Sequence, residues 1–171
     1  MMHPDEAELV RFALECAPEQ REEAVLALIE TESTEIVKVC DRLFRDDEGL
    51  AGRLLARLTG GATAESVIED LRTGGVPGVP WIIAAEALAA HGAEVVPALV
   101  TALESFPLPA EQTELWMRDE SAKYRLMHAL EKIGPPAAAA VPVLTAISTD
   151  REAYRDSRWQ AEQALEAINP G

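Results

Sequence analysis

One motif recurs three times in the second half of this chain, and the recurrence restricts what the chain can fold into. It reads IIAAEALAAHGAEVVPALVTAL from Ile82, YRLMHALEKIGPPAAAAVPVLTAI from Tyr124 and WQAEQALEAINPG from Trp159. Each copy sets an Ala-Leu pair four residues ahead of a Gly or Asn, and the first two then enter a Val-Pro-x-Leu segment. Ala87-Leu88 maps onto Ala129-Leu130 by a shift of 42 residues, and those onto Ala164-Leu165 by a shift of 35. Repetition at such periods marks stacked helix pairs, each burying its apolar face against its neighbours.

The residue types agree with that reading. In the middle copy Leu126, Leu130 and Ile133 follow the i, i+4, i+7 spacing of an apolar helix stripe, with Ala122 and Leu115 extending it backwards. Gly92 and Gly134 stand where a first helix must stop, and Asn169 is the usual substitute for glycine there. Pro97 and Pro142 fall in the first turn of the next helix, where a missing N–H costs little.

These residues resemble the short bacterial, phycobilisome-lyase-type HEAT-like repeats. Such repeats read as Arg, two residues, Ala-Ala-x-Ala-Leu, a Gly turn and a Val-Pro-x-Leu helix. Arg158 matches the leading Arg, Lys123 stands at it in the middle copy and Trp81 departs from it in the first, while Pro97 and Pro142 match the second-helix proline. The resemblance covers residues 79–171 and implies an all-α fold, an α-solenoid of antiparallel helix pairs with about 9–10 helices in the whole chain. It specifies a fold far better than an activity.

Residues 1–73 repeat poorly yet read as helical. Apolar spacings such as Ile36, Val39, Cys40, Leu43, Phe44 and Leu50, Leu54, Leu55, Leu58 predict helices over Pro4–Cys16, Pro18–Ile29, Thr34–Arg45, Gly49–Leu58 and Ala64–Arg72. The stretch TGGVPGVP from Thr73 to Pro80 separates these divergent helices from the clear repeats. It is read as a turn inside one domain spanning 1–171, since neither half has the surplus of large apolar residues needed to stand apart.

Composition narrows the partners. Thirty acidic against fifteen basic residues give a net charge of −15, and 5% aromatic content with abundant alanine suits close-packed helices. Nucleic-acid affinity comes from clustered Lys and Arg, so nucleic acid is not expected as a partner; a protein is, and a basic one if charge selects it. The bland reading is that acidity keeps an alanine-rich stack soluble. The start MMHPDEAELVRF has no basic n-region or apolar h-region, and no apolar run approaches the roughly 18–20 residues of a membrane span. A cytoplasmic monomer without membrane contact is expected.

A search for catalytic chemistry finds little. His3, His91 and His128 lack a second His at metal-ligand spacing, and His91, at the place of Ile133 and Ile168, reads as a core-edge ring bonded to a backbone carbonyl. Cys16 and Cys40 read as buried free thiols. Thr59–Thr63, TGGAT, lacks the Lys-Ser/Thr of a phosphate loop, and no Ser sits in a Gly-x-Ser-x-Gly turn. Asp46-Asp47-Glu48 reads as helix capping. No catalytic, cofactor or metal residues are assigned, and none are expected.

One segment exceeds what a helix-pair repeat requires. FPLPAEQTELWMRDESA, from Phe106 to Ala122, carries Phe106, Leu108, Trp116 and Met117, which disordered linkers avoid. If helix runs from Thr113 through Ile133, Met117, Tyr124 and His128 align at i, i+7, i+11 on the face opposite the core. That strip, Trp116, Met117, Tyr124 and His128 flanked by Arg118 and Arg125, is the candidate partner-binding surface. The other reading folds the insertion back over an end of the stack. The second-helix faces offer Ala98, Thr101 and Glu104, then Ala138, Thr145 and Ser148, small and weakly polar, where HEAT-type proteins often bind partners.

The expected function is a non-enzymatic protein-protein interaction module, an adaptor or regulatory subunit acting as a scaffold. An alternative is an acidic inhibitor or immunity-type protein masking a basic enzyme such as a nuclease. Enzymes on the same fold are further alternatives: alkylpurine DNA glycosylases need a basic groove that this chain lacks, and no residue identifies the tetrapyrrole site of a bilin lyase. A domain cut from a larger scaffold also fits the third copy, which ends after its first helix.

Overall fold

A computed structural model describes residues 4–107 and 115–171. The readings placed on His3, Leu108 and Thr113 lie outside the described residues. The chain is all-helical, with no strand among the described residues. The described residues form ten α-helices in order: α1 Pro4–Glu15, α2 Arg21–Glu30, α3 Ile36–Asp46, α4 Leu50–Thr59, α5 Ala64–Thr73, α6 Trp81–Ala89, α7 Val96–Glu104, α8 Trp116–Ile133, α9 Val141–Thr149 and α10 Arg155–Ile168. Short 3-10 turns precede α2, α7 and α9, at Pro18–Gln20, Gly92–Val95 and Pro135–Ala140. The sequence placed the helices but not these turns, which form where proline and small residues tighten the entry to the next helix.

Local chemistry sets the ends. The Thr63 hydroxyl accepts the Ser66 N–H at 3.2 Å and caps α5, while Gly60, at φ 73°, closes α4 in the left-handed region. Pro97 and Pro142 sit in the first turns of α7 and α9, as expected. Asn169 does not take the glycine conformation; its φ of −121° leads the chain out of α10 with no left-handed turn. His91 departs from its reading as well. Because α6 ends at Ala89, His91 falls in the turn beyond it and is exposed, whereas Ile133 and Ile168 are still the last residues of their helices and are buried.

Helices α2, α4, α6, α8 and α10 each touch the next in that series, and α5, α7 and α9 do likewise. The neighbour order therefore runs without a break from the divergent residues into the clear repeats. A continuous buried cluster extends from Ala13 to Ile168 and draws residues from α1 through α10. Helix α8 contacts α5, α6, α7 and α10, burying Ala122, Leu126, Leu130 and Ile133 as the stripe predicted. Leu115 was expected to continue that stripe inward; it is 48% exposed, since it precedes the first helical residue and no turn carries it to the core. No single helix among the described residues is long and apolar enough to cross a membrane.

Charge organises the outer surface of the first half. Arg53 on α4 bridges Glu22 of α2 at 2.6 Å and Asp47 at 2.8 Å, and Arg57 reaches Glu23 at 2.7 Å. Asp47 also accepts the Gly49 N–H at 3.2 Å just ahead of α4, but the N-cap of α4 is Gly49 and no carboxylate of the acidic run caps the helix. The Arg53 guanidinium holds the Glu22 and Asp47 carboxyls below their ordinary range.

The thiols differ in setting. Cys40 is fully buried, and burial, followed by the nearby Glu86 carboxylate, pushes its pKa up to about 12. Cys16 is half-buried and donates to the Ala13 carbonyl at 3.5 Å.

Three outcomes follow from this packing. Leu130→Ala should destabilise the fold by about 2–5 kcal/mol in urea unfolding, since a fully buried Leu leaves a cavity at the centre of α8. Carboxyls with depressed values stabilise the fold above their unfolded pKa and lose that contribution as pH falls through the folded one. Arg53→Met should therefore cost about 1 kcal/mol or less at pH 7, and the gap to the parent protein should close below about pH 4. The Cys40 shift has the opposite sense, because above its ordinary value of 9.0 the unfolded thiol ionises while the folded one stays neutral to about 12. Stability should fall as pH rises through that window, and iodoacetamide at pH 8 should modify Cys16 readily but Cys40 only in denaturant.

Candidate functional site

The candidate surface is built on α8, whose face is progressively covered along its length. Met117, in the first turn, is 55% exposed. Beside it Trp116 packs edge to face on Tyr154, which ends the α9–α10 connection, with ring centroids 5.4 Å apart. Two turns on, Tyr124 meets the Trp81 ring edge to face at 5.9 Å, and His128 meets the same ring at 5.2 Å.

The structure keeps Met117, Tyr124 and His128 on one side of α8 but does not leave that side open. Tyr124 is half-buried, and His128 is only 9% exposed. The cause is Trp81, the residue at which the first repeat departs from the usual Arg; its ring lies over both side chains. His128 is thereby removed from the candidate surface, and the accessible part contracts to the first turns of α8. Arg118 is exposed and paired with Asp119 at 3.2 Å, and Arg125 is half-buried beside the Gly74–Gly75 turn that joins α5 to α6.

His128 instead belongs to a polar chain that sequence reasoning missed. Its Nε2 lies 3.1 Å from Oε1 of Glu86 on α6, and its Nδ1 lies 3.7 Å from Oε2 of Glu131. The Glu131 carboxylate accepts from Gln160 Nε2 on α10 at 2.6 Å, and Lys132 stands 3.7 Å from both Glu86 and Asp41 of α3. A partly buried polar chain thus runs from α3 to α6, α8 and α10 with each group partnered. A signal was available: Glu86 and His128 are 42 residues apart, the shift of the repeat itself. They occupy the same variable position, immediately before the Ala-Leu pair, in successive copies. Beside this chain, Glu86 and Lys132 help line a surface cavity of about 570 Å³ with Phe44, Glu48 and Ala51.

A second polar knot underlies the start of α8. Glu120 is buried, pairs with Lys123 at 2.9 Å and accepts the Ser157 hydroxyl of α10 at 2.5 Å. Lys123 also stands 5.6 Å from the Phe106 ring centre, so Phe106, at the front of the insertion, covers the ion pair. Above this knot opens a cavity of about 270 Å³ lined by Met117, Ser121, Tyr124, Arg125 and Tyr154.

Burial draws the Arg125 pKa down and raises that of Tyr124, where Glu131 and Asp156 add to the effect. The second-helix faces carry exposed Thr101 and Thr145, and the Thr101 hydroxyl is spent on the Pro97 carbonyl at 3.0 Å. No group of three His, Cys, Asp or Glu side chains able to hold a metal ion occurs among the described residues. No protein-family model, curated protein or solved structure matches the chain.

The cross-repeat contact has a direct test. A double-mutant cycle with Glu86→Gln and His128→Leu should return a coupling of about 1–3 kcal/mol, the double variant costing less than the sum of the two single variants.

Proposed function

We propose that this protein is a non-enzymatic protein-interaction module, an adaptor or regulatory subunit, built as one two-layer stack of HEAT-like helix pairs. The stack is supported by the neighbour order, in which every second helix touches the next from α2 to α10, with α5, α7 and α9 forming the companion series. The observation that carries the functional reading is the apolar patch where α8 begins. Leu115, Met117 and Tyr154 are 48%, 55% and 39% exposed, and Trp116 lies against Tyr154 among them. Aromatic and Met side chains, flanked by Arg118 and Arg125, have the composition of an interface core. The binding surface proposed here is therefore Trp116, Met117, Arg118, Tyr124 and Arg125 with Leu115 and Tyr154 added.

Burial separates two kinds of variant. Leu115→Ser with Met117→Ser should leave the melting temperature within about 2 °C while abolishing capture of the native partner, because neither side chain belongs to the core. Trp116→Ala with Tyr124→Ala should lower the melting temperature, since each ring packs edge to face on another. Retained capture by the Ser pair would remove this patch from the reading.

A second reading, an inhibitor of a basic enzyme, is favoured by the distribution of charge. Most basic side chains are committed to ion pairs, including Arg21, Arg53, Arg57 and Lys132, so the −15 net charge is expressed by uncompensated carboxylates. Association with such a partner should weaken steeply as salt rises from about 50 to 500 mM, whereas a patch-driven complex should change little.

A further inference from the structure

The cavity above the Glu120 knot holds an arginine without an acid. Each acidic group in its lining has a counter-charge. Glu120 has Lys123 at 2.9 Å and the Ser157 hydroxyl, and Asp156 has Arg155 at 3.5 Å. Arg125 has only the Gly74 carbonyl, 3.5 Å from Nη1, beyond the usual 2.7–3.2 Å range of such a bond. No ion pair to Arg125 occurs within 4.0 Å among the described residues, although the chain has twice as many acidic as basic side chains. A guanidinium with five donors, half removed from water and unpaired in an acidic protein, is the one uncommitted charge facing this space.

A glycine turn lies beside it. Gly74 and Gly75 take φ values of 145° and 127°, and a Cβ on Gly75 would lie 3.5 Å from Arg125 Nη1. The guanidinium thus rests against bare backbone on one side and faces the cavity on the other. Tyr124, Tyr154 and Met117 supply apolar walls, and Ser121 adds a hydroxyl. At about 270 Å³ the space falls just below the about 300–1,000 Å³ of drug-sized ligand pockets and suits a smaller ligand.

We propose that this cavity binds a small organic carboxylate, its anionic end held by Arg125 and its aromatic or branched apolar body held between Tyr124, Tyr154 and Met117. A carboxylate suits the site better than a phosphate monoester. One guanidinium matches one planar anion through two parallel N–H···O bonds, and Asp156 in the lining repels a second negative charge. The site shares Met117, Tyr124, Arg125 and Tyr154 with the surface proposed for a protein partner, but its occupant is a small anion recognised by charge.

The test is a titration of the full chain with 3-phenylpropionate, 3-phenylpropanol and phenylphosphate, followed by amide NMR shifts at Ser121, Arg125 and Ser157. Saturable shifts with the carboxylate, none with the alcohol, and an affinity at least tenfold weaker in Arg125→Gln are expected. Arg125→Lys should retain part of the affinity. Met117→Asp, at an exposed position safe for folding, should weaken the carboxylate at least threefold and serves if Arg125→Gln fails to fold. No saturable shift with the carboxylate, equal binding of the alcohol, or undiminished binding in both Arg125→Gln and Met117→Asp would overturn the assignment. Tighter binding of phenylphosphate than of 3-phenylpropionate would overturn the choice of carboxylate.

Discussion

Helix α8 has to bury one stripe against four neighbours at once, and the rest of the molecule is arranged around that requirement. Leu126, Met127, Ala129 and Leu130 are fully buried in consecutive turns, so α8 is apolar over more than the single face a surface helix presents. Alanine makes this possible. Ala84, Ala85, Ala161 and Ala164 on α6 and α10 are themselves fully buried, and their small side chains let the helix axes approach closely enough for the leucines to fill the gaps. A larger side chain at any of them would push a neighbour away from α8.

Polar groups at the edge of this contact are only partly removed from water, and they are matched across helices more than within them. The Glu86 carboxylate lies between an imidazole and an ammonium, each on α8, and Gln160 closes the far end on Glu131. Direct replacement of such a network by apolar side chains is often neutral or stabilising in other proteins, so its value here is better sought in specificity than in raw stability. Apolar stripes of similar spacing tolerate sliding by a turn. A carboxylate that must meet one imidazole does not.

The helices themselves were legible because glycine, proline and apolar spacing act locally, and all five divergent helices stand within about three residues of where their spacing placed them. Three readings failed for non-local reasons. Register places His91 at the edge of the core, but α6 is shorter than α8 and ends before reaching it. Leu115 was carried inward by a periodicity that begins only after it. His128 lay on the expected face of α8, yet whether that face is open depends on Trp81, whose coverage no one-dimensional pattern reveals. The first turns of the same face, at Met117, were read correctly as exposed. Arg125 was singled out only as a flank of that strip; its lack of an acid partner emerges from three dimensions alone.

The Glu86–His128 contact joins equivalent positions in successive repeats, and that has an evolutionary consequence. Arrays of similar repeats ordinarily grow and shrink by copying or losing whole units, since each unit offers its neighbours the same surface. In this chain the surfaces are not the same: a second copy of the Glu86 unit would set carboxylate against carboxylate, and loss of the His128 unit would leave Glu86 facing Gln163, which stands at that position in the third copy. The repeats are then no longer interchangeable parts, because one hydrogen-bonded pair ties a residue of one copy to a particular residue of the next.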